Sequence, residues 1–206
     1  PVEGNLVVSF ARPGRNLTGV SLLSLELVGK RMELLKEVIP ALKRVAILAN
    51  PQHPGEQGEL HASKSAAKQL GLALEYFQLP VTAKLDDMLP AVAKSRSGAI
   101  VVFPDAFMMR LSERIAEFAV KNRTPAISGW ASFADDGNLM TYGPNLRDSY
   151  KRLAYYVDRI LKGTKPAALP VELPMKIELV INVRAAKQLA LTISQSVLYR
   201  ADRVIK

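Results

Sequence analysis

The stretch Gly98-Ala99-Ile100-Val101-Val102-Phe103-Pro104-Asp105 constrains the fold more than any other part of the chain. Apolar residues follow one another with no polar alternation, so both faces of the segment must be covered. That is the pattern of a central strand in a parallel sheet, with helices above and below. Pro104 has no N–H with which to continue the ladder. Asp105 then places a carboxylate at the carboxyl end of a buried strand, the edge at which open α/β sheets hold ligands.

On either side the chain alternates strand and helix. A helix is expected after a capping Ser24, with Leu25, Val28, Met32, Leu35 and Ile39 on one face and Pro40 at its end. Arg44-Val45-Ala46-Ile47-Leu48-Ala49 reads as a buried strand, and residues 56–70 as a helix stopped by Gly71. A strand over 72–77 and a helix over 84–95, carrying Pro90, follow. The spacing of Met108, Leu111, Ile115 and Phe118 predicts one helix over 106–122. Short strands at 125–128 and 139–143 enclose one helical turn at 131–135. A long helix follows over 145–161, then a Pro/Ala-rich connector over 165–174. Residues 176–183 read as a strand, 184–189 as a short helix, and 196–205 as a helix or a closing strand. Near the start, 2–10 reads as a short helix and 17–21 as a short strand. This order predicts a doubly wound parallel sheet with strand order 2-1-3-4-5, counted from Arg44. Its switch point lies between the first and third strands, at the tips that carry Asn50 and Asp105.

The chain has 206 residues, enough for a sizeable core, and no apolar run reaches the length of a membrane span. Cysteine is absent, which excludes disulfides, thiol catalysis and Cys-based zinc sites. The net charge of +9 would suit an anionic partner, but the basic residues are scattered. Lys30, Arg31, Lys64, Lys68, Arg110, Arg114, Lys151 and Arg152 read as solvated helix faces beside Asp or Glu, so no nucleic-acid partner is expected. His53, on a loop, and His61, on a polar helix face, lack metal-ligand spacing. There is no Gly-x-Ser-x-Gly elbow and no phosphate loop. Asp86-Asp87 and Asp135-Asp136 are adjacent pairs, which do not face each other on a helix. No catalytic residue, metal or cofactor is expected.

The strand tips carry more. Asn50, Asp105, Ser128, Gly129, Trp130 and Tyr142 supply an amide, a carboxylate, a hydroxyl, flexible backbone and two rings. That is the inventory of a pocket for a small polar ligand. Packing in the core is the competing role for Trp130. For Asp105 it is capping of the helix that follows, and one position can serve both ends.

Larger segments resemble a known family. Ala11-Arg12-Pro13-Gly14-Arg15-Asn16-Leu17-Thr18-Gly19-Val20-Ser21 and Glu26-Leu27-Val28-Gly29-Lys30-Arg31-Met32-Glu33-Leu34-Leu35-Lys36-Glu37 are similar to ABC-transporter substrate-binding proteins of the tryptophan type. So are Val45-Ala46-Ile47-Leu48-Ala49-Asn50-Pro51, Leu139-Met140-Thr141-Tyr142-Gly143-Pro144-Asn145 and Tyr156-Val157-Asp158-Arg159-Ile160-Leu161-Lys162-Gly163. The tail, Leu169-Pro170-Val171-Glu172-Leu173-Pro174 into Ile177-Glu178-Leu179-Val180-Ile181-Asn182, fits as well. The resemblance implies a type I periplasmic binding fold, in which two α/β lobes close on a ligand. Val20-Ser21 and Tyr142-Gly143 would be crossings between lobes, and Ser21 joins the candidate ligand-binding residues. Residues 1–20 and 144–175 would be part of the N-terminal lobe and hinge, and 21–143 with 176–206 a near-complete C-terminal lobe.

Such proteins carry about a further lobe's worth of sequence ahead of this start. The opening at Pro1 therefore reads as that of a fragment or a processed chain, and half the pocket is expected to come from elsewhere. Apolar faces of Val7, Val8, Phe10, Tyr150 and Leu153 would then be exposed and favour self-association. The implied function is capture of a small molecule, an amino acid or aromatic compound, for a membrane permease, at a periplasmic or membrane-anchored extracytoplasmic location. The effector-binding lobe of a transcription regulator is the alternative on the same fold. A flavodoxin-like enzyme is a third, without a nucleophile, metal set or phosphate loop to support it.

Overall fold

A computed structural model describes residues 6–206. The chain separates into two compact units, one of residues 1–23 and 144–177, the other of 24–143 and 178–206.

The larger unit is built on the predicted alternation. Helix α1 (Ser24–Val38) leads to β1 (Arg44–Ala49), α2 (Glu56–Leu70), β2 (Ala73–Gln78), α3 (Leu85–Lys94) and β3 (Ala99–Val102). Then come α4 (Ala106–Met109), α5 (Ser112–Asn122), β4 (Ala126–Ser128), α6 (Ser132–Asp135) and β5 (Met140–Pro144). After α7 (Leu146–Leu161) follow β6 (Ile177–Asn182), α8 (Val183–Gln188), α9 (Gln195–Tyr199) and β7 (Arg203–Ile205).

The sheet order is β2-β1-β3-β4-β5-β6-β7. The predicted order of five strands is therefore present, extended by two. The pairs β1–β2, β1–β3, β3–β4, β4–β5 and β6–β7 are parallel. The Asn182 N–H donates to the Leu139 carbonyl and joins the end of β6 to the start of β5.

Strand alternation divides the core between two faces. Val45, Ile47, Val101, Phe103, Ile127 and Met140 pack with Val28, Met32 and Leu35 of α1 and Leu60 of α2. Ala46, Leu48, Ile100, Val102 and Ala126 pack with Leu89 of α3, Met108 of α4, Ile115 and Phe118 of α5 and Phe133 of α6. Each fully buried aliphatic side chain contributes about 1.5–3 kcal/mol relative to exposure. With both faces covered, function is left to the strand ends.

Five local expectations need correction. Residues 6–10 form bends and not helix, and the rest of the predicted 2–10 helix lies outside the described residues. The 17–21 strand reduces to a single bridge between Val20 and Glu172. Ser24 begins α1 inside the helix instead of capping it. The single helix over 106–122 breaks at Arg110-Leu111, because Leu111 takes φ −100° and ψ 3°. Both pieces bury the same side, which is why the apolar spacing runs unbroken through the break. The final segment is both a helix and a strand, α9 followed by β7.

The smaller unit is organised around α7. Arg152 makes a two-point bond to Glu172, with both N–O distances 2.5 Å, and its guanidinium lies over the Tyr155 ring. The bond to Arg152 holds the Glu172 carboxyl below its ordinary range. The Tyr156 hydroxyl donates to the Pro170 carbonyl at 2.6 Å, and burial pushes its pKa up to about 12. Val7 is buried, contrary to expectation, whereas Val8 and Tyr150 are exposed and Phe10 and Leu153 half-buried.

Candidate functional site

Register alone brings the tips of four parallel strands to one edge. Leu48 pairs with Val102, Val101 with Ile127, and Ser128 with Thr141. Asn50, Pro104-Asp105 and Gly129-Trp130 therefore leave the sheet at neighbouring positions, and Tyr142, inside β5, stands one residue past the Ser128–Thr141 pair. This is the carboxyl edge at the topological switch, since β2 lies on the other side of β1.

The tips differ in what remains available. Asn50 is 7% exposed, and its Oδ1 accepts from the Gln52 N–H, fixing the loop as an Asx turn. Asp105 is 8% exposed and caps α4, one oxygen accepting from the Met108 N–H at 2.7 Å. Ser128 is fully buried and donates to the Val102 carbonyl, so its hydroxyl holds β4 to β3. Gly143 is required by backbone contact, and Gly129 by the side chains packed against it. A Cβ on Gly143 would lie 1.9 Å from the Gly129 carbonyl oxygen, and one on Gly129 would lie 2.8 Å from Pro104 Cγ. Trp130 and Tyr142 keep partial exposure. The Trp130 Nε1 is buried without a hydrogen-bond partner among the described residues. Ser21 belongs to the smaller unit, where its Oγ accepts from the Leu23 N–H and its own N–H donates to the Glu172 carbonyl.

Beneath these tips lies a charged group, Arg31, whose residue type and place on a helix predict a surface site. Arg31 is fully buried, against the expectation of a solvated helix face. Its Nε donates to the Tyr142 carbonyl at 2.8 Å. Burial lowers its pKa to about 10, opposed by Glu59 and Tyr142, so it stays cationic at neutral pH. Glu59 is also fully buried, and its Oε1 lies 3.3 Å from His53 Nε2. That hydrogen bond raises the His53 pKa against the effect of burial, with further help from the charges of Glu59, Asp105 and Glu56. The loop after β1 and the tip of β3 are therefore electrostatically coupled. Arg31 was detectable in principle. It falls three residues after Val28 and four before Leu35, inside the apolar stripe, where an arginine needs a buried partner.

A groove of about 750 Å³ lies elsewhere, along α5, the turn at Asp135-Asp136-Gly137 and α8, and none of the candidate residues lines it. Among the described residues, no group of three or more His, Cys, Asp or Glu is placed to hold a metal ion. No helix among them is long and apolar enough to cross a membrane.

The doubly wound parallel sheet, in this strand order, is that of a periplasmic-binding-type α/β protein. The family profile for ABC transporter substrate binding proteins matches residues 1–205, and the chain belongs to that family. A conserved domain protein of Vibrio cholerae has a solved structure that superimposes with a TM-score of 0.91 at 30% identity, over 99% of this chain and 68% of that one. An ABC domain from Streptococcus pneumonia, solved in complex with L-Trp, gives a TM-score of 0.89 at 26% identity, over 100% of this chain and 68% of that one. A tyrosine-binding protein of Clostridioides difficile is 22% identical over 194 residues, which is 92% of this chain. The chain spans about half the length of that curated relative, 54%.

Proposed function

We propose that the chain captures an amino acid with an aromatic side chain at the carboxyl edge of its sheet and presents it to a membrane permease. The observation that carries this reading is the register that sets Asn50, Asp105, Trp130 and Tyr142 along one edge of the sheet, beginning at the switch point. Asp105 supplies a negative charge for the ligand ammonium, while its capping bond fixes the carboxylate in place. Trp130 and Tyr142 offer ring surface to the side chain. Asn50 orders the loop beside them. Ser128 works as a strap between strands. The L-Trp complex of the Streptococcus relative and the tyrosine-binding protein of Clostridioides difficile support the ligand class. Binding without chemical change fits a set of polar groups that includes no paired nucleophile and base.

Titration calorimetry of the protein with L-tyrosine, L-tryptophan and aliphatic amino acids tests the reading. Aromatic amino acids should bind with the greater affinity. Asp105→Asn keeps a good capping residue but removes the charge, and should weaken binding by about 2 kcal/mol with little loss of stability. Absence of binding across all the amino acids would overturn the ligand class.

A further inference from the structure

Arg31 is costly as a core residue. A buried ion is desolvated, and replacing a buried charged pair with apolar residues of similar volume is often neutral or stabilising. Stability alone therefore gives weak grounds for an arginine in the apolar stripe of α1. Its geometry gives better ones. The Nε–carbonyl bond of 2.8 Å fastens α1 to β5 at Tyr142, one of the two aromatic tips. The other end of the guanidinium lies directly under the second tip, since a Cβ on Gly129 would come within 2.6 Å of Arg31 Nη2. Gly129 is followed at once by Trp130. Nη1 and Nη2 have no hydrogen-bond partner among the described residues, and neither has Glu59 Oε2. One planar cation thus abuts the backbone just past β4 and within β5.

We propose that Arg31 is a positioning residue for the aromatic tips. By holding the Tyr142 carbonyl and filling the space under Gly129, it sets the directions in which the Tyr142 and Trp130 side chains project. Glu59 is the counter-charge that lets the guanidinium sit there. Full burial keeps Arg31 from touching a ligand, so its effect reaches the site only through those two residues. The functional part of this inference rests on the reading that the tips bind an aromatic amino acid. The structural part does not.

Trp130 is the only tryptophan in the chain, so its fluorescence reports on the tip alone. The test compares the wild type with Arg31→Met/Glu59→Gln, Glu59→Gln and Arg31→Lys, each checked for folding by circular dichroism and urea unfolding. The double variant should fold. Its Trp130 emission should move to the red, and acrylamide quenching should rise. Glu59→Gln alone strips the buried guanidinium of its counter-charge and should lower the urea midpoint, but while it folds its emission and quenching should match the wild type, because the Tyr142 carbonyl keeps its donor. Arg31→Lys retains the charge but not the planar Nε donor, and should behave like the double variant. Affinity for L-tyrosine should fall about tenfold in both Arg31 variants, as expected when a site is displaced by a fraction of an ångström. A folded double variant with unchanged emission and quenching would overturn the proposal. Should the double variant not fold, Arg31→Lys decides: unchanged emission, or failure of that variant to fold, would make Arg31 a core residue and no more. A wild type that does not bind L-tyrosine would remove the ligand reading while leaving the Trp130 result to judge the positioning role.

Discussion

His53 shows how a loop residue comes under the control of a helix residue, Glu59. The folded-state pKa of His53 is raised, mainly by its hydrogen bond to Glu59. Protonation therefore favours the folded chain. The stabilisation is fully present below the unfolded value of about 6.5 and is lost as pH climbs through the raised folded value. His53→Gln should be less stable than the wild type in mild acid, and the gap should close in mild alkali. Urea midpoints measured at a series of pH values check this. At Gly143 the limit is space. Gly143→Ala would drive a methyl into the Gly129 carbonyl, and should cost more than about 3 kcal/mol by chemical denaturation.

Among the elements, Asn182 joins three at once. It caps α8 by accepting from the Ala185 N–H, donates from Nδ2 to the Ala134 carbonyl of α6, and closes β6. Asn182→Ala should cost about 2–3 kcal/mol by urea unfolding, since a cap and a buried hydrogen bond are lost together. The elements themselves were largely readable. β1 and α2 begin and end where the pattern places them, because charged or turn-forming residues flank each apolar run. The break between α4 and α5 was hidden, since a kink that leaves the buried face intact does not disturb the apolar spacing. At the site, Asn50 and Asp105 were visible as the polar residues that follow apolar runs. Glu56 and Glu59 were not, because charged residues on helices are usually solvated and only tertiary packing buries these two, whereas Arg31 left a trace in its place within the apolar stripe of α1. Ser128 was visible as a tip residue, but its use in tying β4 to β3 depends on a partner 26 positions away.

At the scale of the molecule, one helix carries a run of exposed apolar side chains. α7 exposes Tyr150, Tyr155, Val157, Ile160 and Leu161, the last of them 82% accessible. We expect concentration-dependent association in sedimentation velocity, reduced by a Val157→Glu/Leu161→Glu variant that leaves the circular dichroism spectrum unchanged. Unchanged sedimentation between the two proteins would dismiss that expectation. The pair Gly129 and Gly143 has a further meaning across descent. At Gly143 the main chain of Gly129 leaves no room for a Cβ, and at Gly129 the side chains of Arg31 and Pro104 fill the space, so a side chain at either is opposed by packing, whatever solute the pocket holds or even if it holds none. Invariant glycine at these two columns in distant descendants would record a demand of folding, and clues to a changed diet should be sought one residue away, at Trp130 and Tyr142.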